Sequence, residues 1–410
     1  MSTRMRRTLR RRSGIAAGRL GMRAVALCLL LAAGGCRKQL APADRPSGPG
    51  SVAATSAPEP IVVPSTPPAL AGVVSPPARG AFLGAYLPPA PFDIRALDAY
   101  ARISPKAPSI LMWYQPWAEK GPHEFDPAAC VSVYQRGATP MITWEPWNPG
   151  TDANFLKEPA NQPAFKLAAI IDGRYDDYIR GFARGVKSAR GPVMIRLMHE
   201  MNGNWYPWGG TTNGNSPAQF VAAWRHVHGL FAEEGATNVT WVWSINHESV
   251  PSTNANRFAA YYPGDAYVDW VAASGFNWGS ASPYSTWRTF DQRYRKPLAY
   301  LKTLRKPVML AELGTVEQGG SKATWITDAY AQIRTRHPEI KAVVYYNSLE
   351  KGPKLVQDWR ITTSSASTRA YRSAVEPPYF VAGPTPELGA WKTALTTDNW
   401  TYLRSLPPVY

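Results

Sequence analysis

Cysteine is nearly absent from this sequence, and its scarcity excludes several architectures at once. The three cysteines are Cys28, Cys36 and Cys130, and only Cys130 lies in a stretch with folding potential. An internal disulfide framework and a thiolate metal site are therefore ruled out. Histidine offers no substitute, because His226 and His228 stand two apart on a predicted helix and point in different directions. No metal site is expected, and no glycine-rich cofactor fingerprint stands out, so no cofactor is expected either. Acidic residues are also few, 29 against 45 lysines and arginines, giving a formal charge of +16. Half of that excess belongs to residues 1–36, which carry eight arginines and no acid. The remainder has no run of lysine or arginine, so the clustered basic stripe of a nucleic-acid-binding surface is missing.

What the N-terminus does have is a targeting pattern. The arginine-rich stretch leads into an apolar run from Ala24 to Ala33, then Gly34, Gly35 and Cys36. A basic region, a short apolar region and small residues at a cleavage point read as an export signal. An apolar run of about ten residues is too short for a permanent membrane span. Cys36 after small residues resembles a bacterial lipobox, so residues 1–36 are expected to be a signal with a lipidation site at Cys36. Residues 37–80 hold ten prolines among alanine, serine, glycine and valine, without hydrophobic periodicity. This composition predicts an extended tether without its own fold. The expected location is secreted or anchored in the cell envelope, with the lipid as the only membrane contact and a monomeric body.

From residue 81 to about 375 the texture changes. Eight short apolar runs recur: 81–87, 109–114, 140–144, 193–198, 239–245, 268–273, 307–311 and 342–346. Amphipathic segments lie between them. Ser216, Pro217 and Gln219 supply an N-cap, a first-turn proline and a capping-box partner. Phe220, Trp224, Val227 and Phe231 then repeat at helical spacing up to Gly235. Continuous apolar strands alternating with amphipathic helices predict an α/β fold with a parallel sheet covered by helices. Eight such units in this length predict a (β/α)8 barrel. Residues 376–410 form a C-terminal extension rich in proline, tryptophan and tyrosine, with no clear element.

In such a barrel the site forms where strands end. Here the strand ends bring Trp144 and Glu145, then His199, Glu200, Trp205 and Trp208, then Trp278, then Tyr346. Rings beside carboxylates and amides suit sugars, whose apolar faces pack on aromatics while their hydroxyls need donors and acceptors. Retaining cleavage of a glycoside needs two carboxyls about 5–5.5 Å apart. Glu200 ends strand four and Glu312 ends strand seven, so these two are the candidate acid/base and nucleophile. Trp205, Trp208 and Trp278 are candidate stacking platforms, and Trp144 and Glu145 are candidates to line the same cleft. His199, Glu145 and Tyr346 are candidate sugar contacts, and Arg196 is a candidate partner for a carboxylate beneath the site.

The run Arg196-Leu-Met-His-Glu-Met-Asn-Gly203, continued by Asn204-Trp-Tyr-Pro-Trp-Gly209, resembles the acid/base motif of glycoside hydrolase family 26. The segment Pro307-Val-Met-Leu-Ala-Glu312 is similar to the nucleophile strand of that family, and the resemblance extends over about 81–375. It implies a retaining (β/α)8 enzyme with glutamates on strands four and seven, acting on a polysaccharide and mainly on β-mannan. One position departs: members usually place a tyrosine near the end of strand six that hydrogen-bonds the nucleophile, and Phe276 stands there. Phenylalanine cannot donate, so that bond is lost unless Asn277 or Tyr346 supplies it. Two further readings stay open, a surface protein that binds glycan without turnover and a hydrolase of another β-glucan, xylan or bacterial exopolysaccharide.

Overall fold

All eight expected strands are present in the computed structural model, which describes residues 72–93, 95–118, 123–150, 160–189, 191–351 and 355–383. They are β1 (Ala81–Tyr86), β2 (Ile110–Pro116), β3 (Thr139–Glu145), β4 (Val193–Leu197), β5 (Val239–Asn246), β6 (Trp270–Asn277), β7 (Val308–Thr315) and β8 (Ile340–Tyr346). Each pairs in parallel with the next, and β8 closes on β1 from Phe82 opposite Ala342 to Tyr86 opposite Tyr346. The fold is a (β/α)8 barrel. The export segment, Cys36, the tether up to residue 71 and residues 384–410 lie outside the described residues.

Around the strands lie α1 (Arg95–Ile103), α2 (Pro127–Tyr134), α3 (Leu167–Ile171), α4 (Asp176–Ser188), α5 (Pro217–Glu233), α6 (Phe290–Thr303), α7 (Lys322–Arg336) and α8 (Ser365–Val375). The capping box read from the sequence opens α5, with Gln219 N–H donating to Ser216 Oγ and Ser216 N–H donating to Gln219 Oε1. One crossover departs from the expected repeat. Between β5 and β6 the described chain makes only two 3₁₀ turns, Phe258–Tyr261 and Asp265–Tyr267. Pro251, Pro263 and Gly264, the last at φ +105°, interrupt any longer helix there.

Strand alternation sorts the side chains into two cores. On β3, Ile142 and Trp144 face outward, and Trp144 stacks on Phe182 of α4 with centroids 4.2 Å apart. Met141 of the same strand faces the barrel interior, where Met112, Met194 and Met309 join it with Val242, Trp270 and Val344. This apolar layer is a floor, and the polar residues of the next layer stand on it. The barrel's other end is closed by Val74, fully buried, whose N–H donates to Thr240 Oγ1 at 2.7 Å and whose carbonyl accepts from Trp270 Nε1 at 2.7 Å. The packed body therefore begins before residue 81, inside the stretch expected to be tether. It also ends after residue 375, because β11 (Phe380–Val381) pairs in parallel with β1. Between β8 and α8 a small antiparallel hairpin is formed by β9 (Leu349–Lys351) and β10 (Val356–Asp358).

An irregularity in β7 decides where the site can form. Met309 and Ala311 face inward, so strict alternation would turn Glu312 outward. Pairing with β6 skips a residue, however: Ala273 is opposite Leu310 and Ser274 is opposite Glu312. A bulge of this kind re-aims a side chain, and Glu312 consequently joins the interior.

Candidate active site

Glu200 follows β4 by three residues, in a turn with unusual backbone geometry. Met198 has φ +45° and Glu200 has φ +54°, both left-handed and neither glycine. Such positions cost about 1–3 kcal/mol each and persist only where neighbours enforce them. The neighbours are identifiable. Met198 N–H donates to Trp144 O at 3.1 Å, and Glu200 N–H donates to Ser244 O at 2.8 Å, tying the turn to β3 and β5. Trp208 Nε1 donates to His199 O at 2.7 Å. Asn202 accepts from Asn246 N–H at 2.8 Å and donates back to Asn246 O at 3.1 Å. The result aims the Glu200 carboxyl into the barrel mouth, where Trp205 Nε1 donates to its Oε2 at 2.9 Å.

Glu312 is held from below and from the side. Arg196, wholly buried on β4, donates through Nη2 to Glu312 Oε1, through Nε to Thr143 Oγ1 at 2.9 Å and through Nη1 to Ser274 Oγ at 3.0 Å. Tyr114, on β2, donates its hydroxyl to the same Oε1 of Glu312. Among the described residues, no hydrogen bond is made to Glu312 Oε2. The backbone of Glu312 is fixed as well, its carbonyl accepting from Tyr294 Oη at 2.8 Å.

Burial sets the protonation of the remaining acids. It pushes the Glu200 carboxyl up to about 8, and the charge of Glu312 adds to the rise while Arg196 and the Trp205 hydrogen bond oppose it. Glu145 is pushed up to about 8, again chiefly by burial, against the pull of Arg196 and of Trp147 Nε1, which donates to it at 3.2 Å. Glu350, on β9, is pushed up to about 7 by burial; Tyr346 Oη donates to it at 2.5 Å and Trp359 Nε1 at 3.2 Å. His199 is held well below the usual histidine range by burial and by Arg196. Among the described residues the site thus holds one ion pair, Arg196 with Glu312, beside a neutral imidazole and buried acids whose protonated form is favoured, Glu200 and Glu145 more so than Glu350. His199 Nδ1 and Glu145 Oε1 stand 3.7 Å apart, too far for a hydrogen bond. His199 Nδ1, Tyr206 Oη and Ser244 Oγ are all buried without a hydrogen-bond partner among the described residues.

The structure brings together Glu200, Glu312, Arg196, His199, Glu145, Trp205 and Tyr346 from the set expected by sequence. Trp278 sits partly exposed beside them, edge-on to Trp359 at 5.0 Å. Two expectations need correction. Trp144 does not line the cleft, because strand alternation turns it outward onto Phe182, and its Nε1 donates to Tyr178 Oη at 3.3 Å. Trp208 is fully buried, stacked on Tyr206 at 4.3 Å with its indole N–H committed to His199 O, so neither face is available. Neither proposed stand-in for the missing strand-six tyrosine serves: Asn277 donates to Thr315 Oγ1 and accepts from Arg288 N–H, while Tyr346 is committed to Glu350. Tyr114, Thr143, Ser274, Tyr206 and Glu350 were missed. For Tyr114 a signal existed, since it continues the inward series Ile110 and Met112.

The chain is similar to known glycoside hydrolases in sequence and in fold. The sequence pattern of glycosyl hydrolase family 26 matches residues 130–292, which include the Glu200 turn. Endoglucanase H of Acetivibrio thermocellus is 34% identical over 266 residues, covering 64% of this chain and 26% of that protein. A mannan endo-1,4-beta-mannosidase of Bacillus subtilis is 25% identical over 203 residues, covering 47% of this chain and 51% of that protein. The chain thus spans between about a quarter and half the length of these relatives. The catalytic domain of the GH26 endo-beta-1,4-mannanase of Bacillus sp. JAMB-750 superposes with a TM-score of 0.56 over 76% of this chain and 90% of that one, at 15% identity, a likeness of fold. The strand-four run, the barrel and these relatives agree, and the chain is similar to glycosyl hydrolase family 26, whose pattern it matches over residues 130–292.

Proposed function

We propose that the protein is a retaining hydrolase of a neutral β-linked polysaccharide, with Glu200 as acid/base and Glu312 as nucleophile. The observation that carries this reading is the split between the two carboxyls. Glu200 is protonated near neutral pH, as a proton donor must be, while Glu312 is paired with a cation through one oxygen and leaves the other free. In the first step Glu312 Oε2 attacks the anomeric carbon as Glu200 gives its proton to the leaving oxygen. In the second, the Glu200 carboxylate takes a proton from a water that attacks the glycosyl-enzyme, freeing Glu312. The unpartnered His199 Nδ1, Tyr206 Oη and Ser244 Oγ are matched to sugar hydroxyls, and the partly exposed Trp278 to an apolar sugar face.

Electrostatics supports a neutral sugar. Glu145, Glu200, Glu312 and Glu350 are all buried in one region, and the cation acting on Glu145 and Glu200 is Arg196, already engaged by Glu312. A uronic acid would add an anion with no free cationic partner there among the described residues. β-Mannan is the first polymer to test, on the resemblance read from the sequence. A mixed-linkage or other β-glucan is the second, favoured by the higher identity to Endoglucanase H. Turnover is preferred over mere glycan binding because the nucleophile keeps two donors despite Phe276. The export signal and Cys36 complete the proposal as an envelope-anchored enzyme. Reducing-end release from mannan, mixed-linkage β-glucan and β-1,3-xylan tests it. Products that appear with wild type and vanish with Glu200→Ala or Glu312→Ala support hydrolysis; tight binding without products would instead establish the binder.

A further inference from the structure

We infer that Tyr114 on β2 is the positioning residue for the nucleophile, taking over from across the barrel the task that a strand-six tyrosine would perform at Phe276. The inference rests on the reading of Glu312 as nucleophile and adds to it the source of its second donor. Three observations support it. Residue 276 lies two positions beyond Ser274, the partner of Glu312, so it shares the inward face just above the carboxylate. Its side chain has no polar atom and is spent on aromatic packing, 4.8 Å from Trp359 and 5.1 Å from Tyr346. The donor that reaches Glu312 comes instead from β2, separated from β7 by β8 and β1 in the closed sheet.

Tyr114 is built to hold one orientation. Its ring meets Tyr86 edge-on at 5.2 Å and lies 5.9 Å from His199 and 6.5 Å from Tyr346. Arg196 stands 5.8 Å from the ring centroid, so the guanidinium that pairs with Glu312 also faces the ring beside it. Burial and the charge of Glu312 raise the phenol well above its ordinary value, which keeps it a donor. Both donors converge on Oε1. That geometry fixes which oxygen attacks, because Oε2 is the one left without a donor among the described residues.

The exchange also alters the cleft wall. With the hydroxyl supplied from β2, the strand-six position becomes part of an apolar wall in which the partly exposed Phe276 and Trp278 pack on the buried Trp359.

The test uses the full chain, the polymer that wild type cuts, and an aryl β-glycoside of the same sugar with a good leaving group. Tyr114→Phe is expected to lower kcat/KM by about ten- to a hundredfold, the effect of losing a hydrogen bond to a charged group. The loss should persist on the aryl glycoside, which needs no acid assistance, whereas the loss in Glu200→Ala should be largely recovered there. The double variant Tyr114→Phe/Phe276→Tyr should regain at least a third of the lost factor on a logarithmic scale. Thermal melts establish that each variant is folded. Wild-type rates in a folded Tyr114→Phe, recovery of its activity on the aryl glycoside, or a folded double variant no faster than the single one would each overturn the inference. If wild type cuts no glycan at all, the failure lies with the hydrolase reading instead.

Discussion

Replacing Glu145 by glutamine isolates the effect of burying an acid in this site. Glu145 is 3% exposed, and burial pushes its carboxyl from 4.5 up to about 8. A folded-state value above the unfolded one favours the native protein while both states are protonated. The advantage is fully present below about pH 4.5 and is lost as pH rises to about 8. A shift from 4.5 to about 8 corresponds to about 5 kcal/mol across that window. Glutamine has the same shape, keeps an oxygen to accept from Trp147 Nε1, and cannot ionise. Urea unfolding of wild type and Glu145→Gln at pH 5 and pH 9 reads the difference. Wild type should lose about 4 kcal/mol more than the variant between those pH values, the part of the whole window that lies above pH 5. Parallel losses would mean that Glu145 is ionised in the native protein, and the electrostatic account of the site would be wrong.

Four further outcomes follow from the same geometry. The kcat/KM profile should fall on its alkaline side near pH 8, because Glu200 must be protonated to act and burial places its loss of the proton there; a plateau continuing to pH 10 would remove it as the acid. Arg196→Met should destabilise the protein by about 3–5 kcal/mol in chemical denaturation, since it strands the buried Glu312 carboxylate. Trp144→Ala should cost about 3–5 kcal/mol of stability through the cavity left against Phe182. Trp278→Ala should leave the melting temperature nearly unchanged and raise KM about three- to tenfold, the contrast expected if only Trp278 meets sugar.

The barrel was legible because parallel strands buried on both faces leave continuous apolar runs, and all eight runs became strands. The strand-five to strand-six crossover was less legible, since eight strands suggested eight helices and the breakers Pro251, Pro263 and Gly264 were given no weight. Glu200 and Glu312 could be named because an acid at a strand end is visible in one dimension. Which face a strand-end residue uses is a different question. Trp144 and Glu145 are adjacent and point opposite ways, so their common location at the end of β3 hid a structural residue beside a site residue. Alternation alone would have misled at β7, where the bulge turns both Ala311 and Glu312 inward. Glu350 gave no signal, because it lies on the short β9 hairpin and its approach to Tyr346 and Trp359 depends on how that hairpin folds back. Val74 was hidden by composition: one anchored valine at the end of a proline-rich stretch does not change its texture.

The anomeric configuration of the first sugar released, followed by proton NMR from the start of hydrolysis, tests the central claim most directly. A retaining pair made by Glu200 and Glu312 predicts that the β-anomer appears first and the α-anomer grows only by mutarotation. Initial release of the α-anomer would mean that water, not Glu312, attacks the substrate, and would contradict the account.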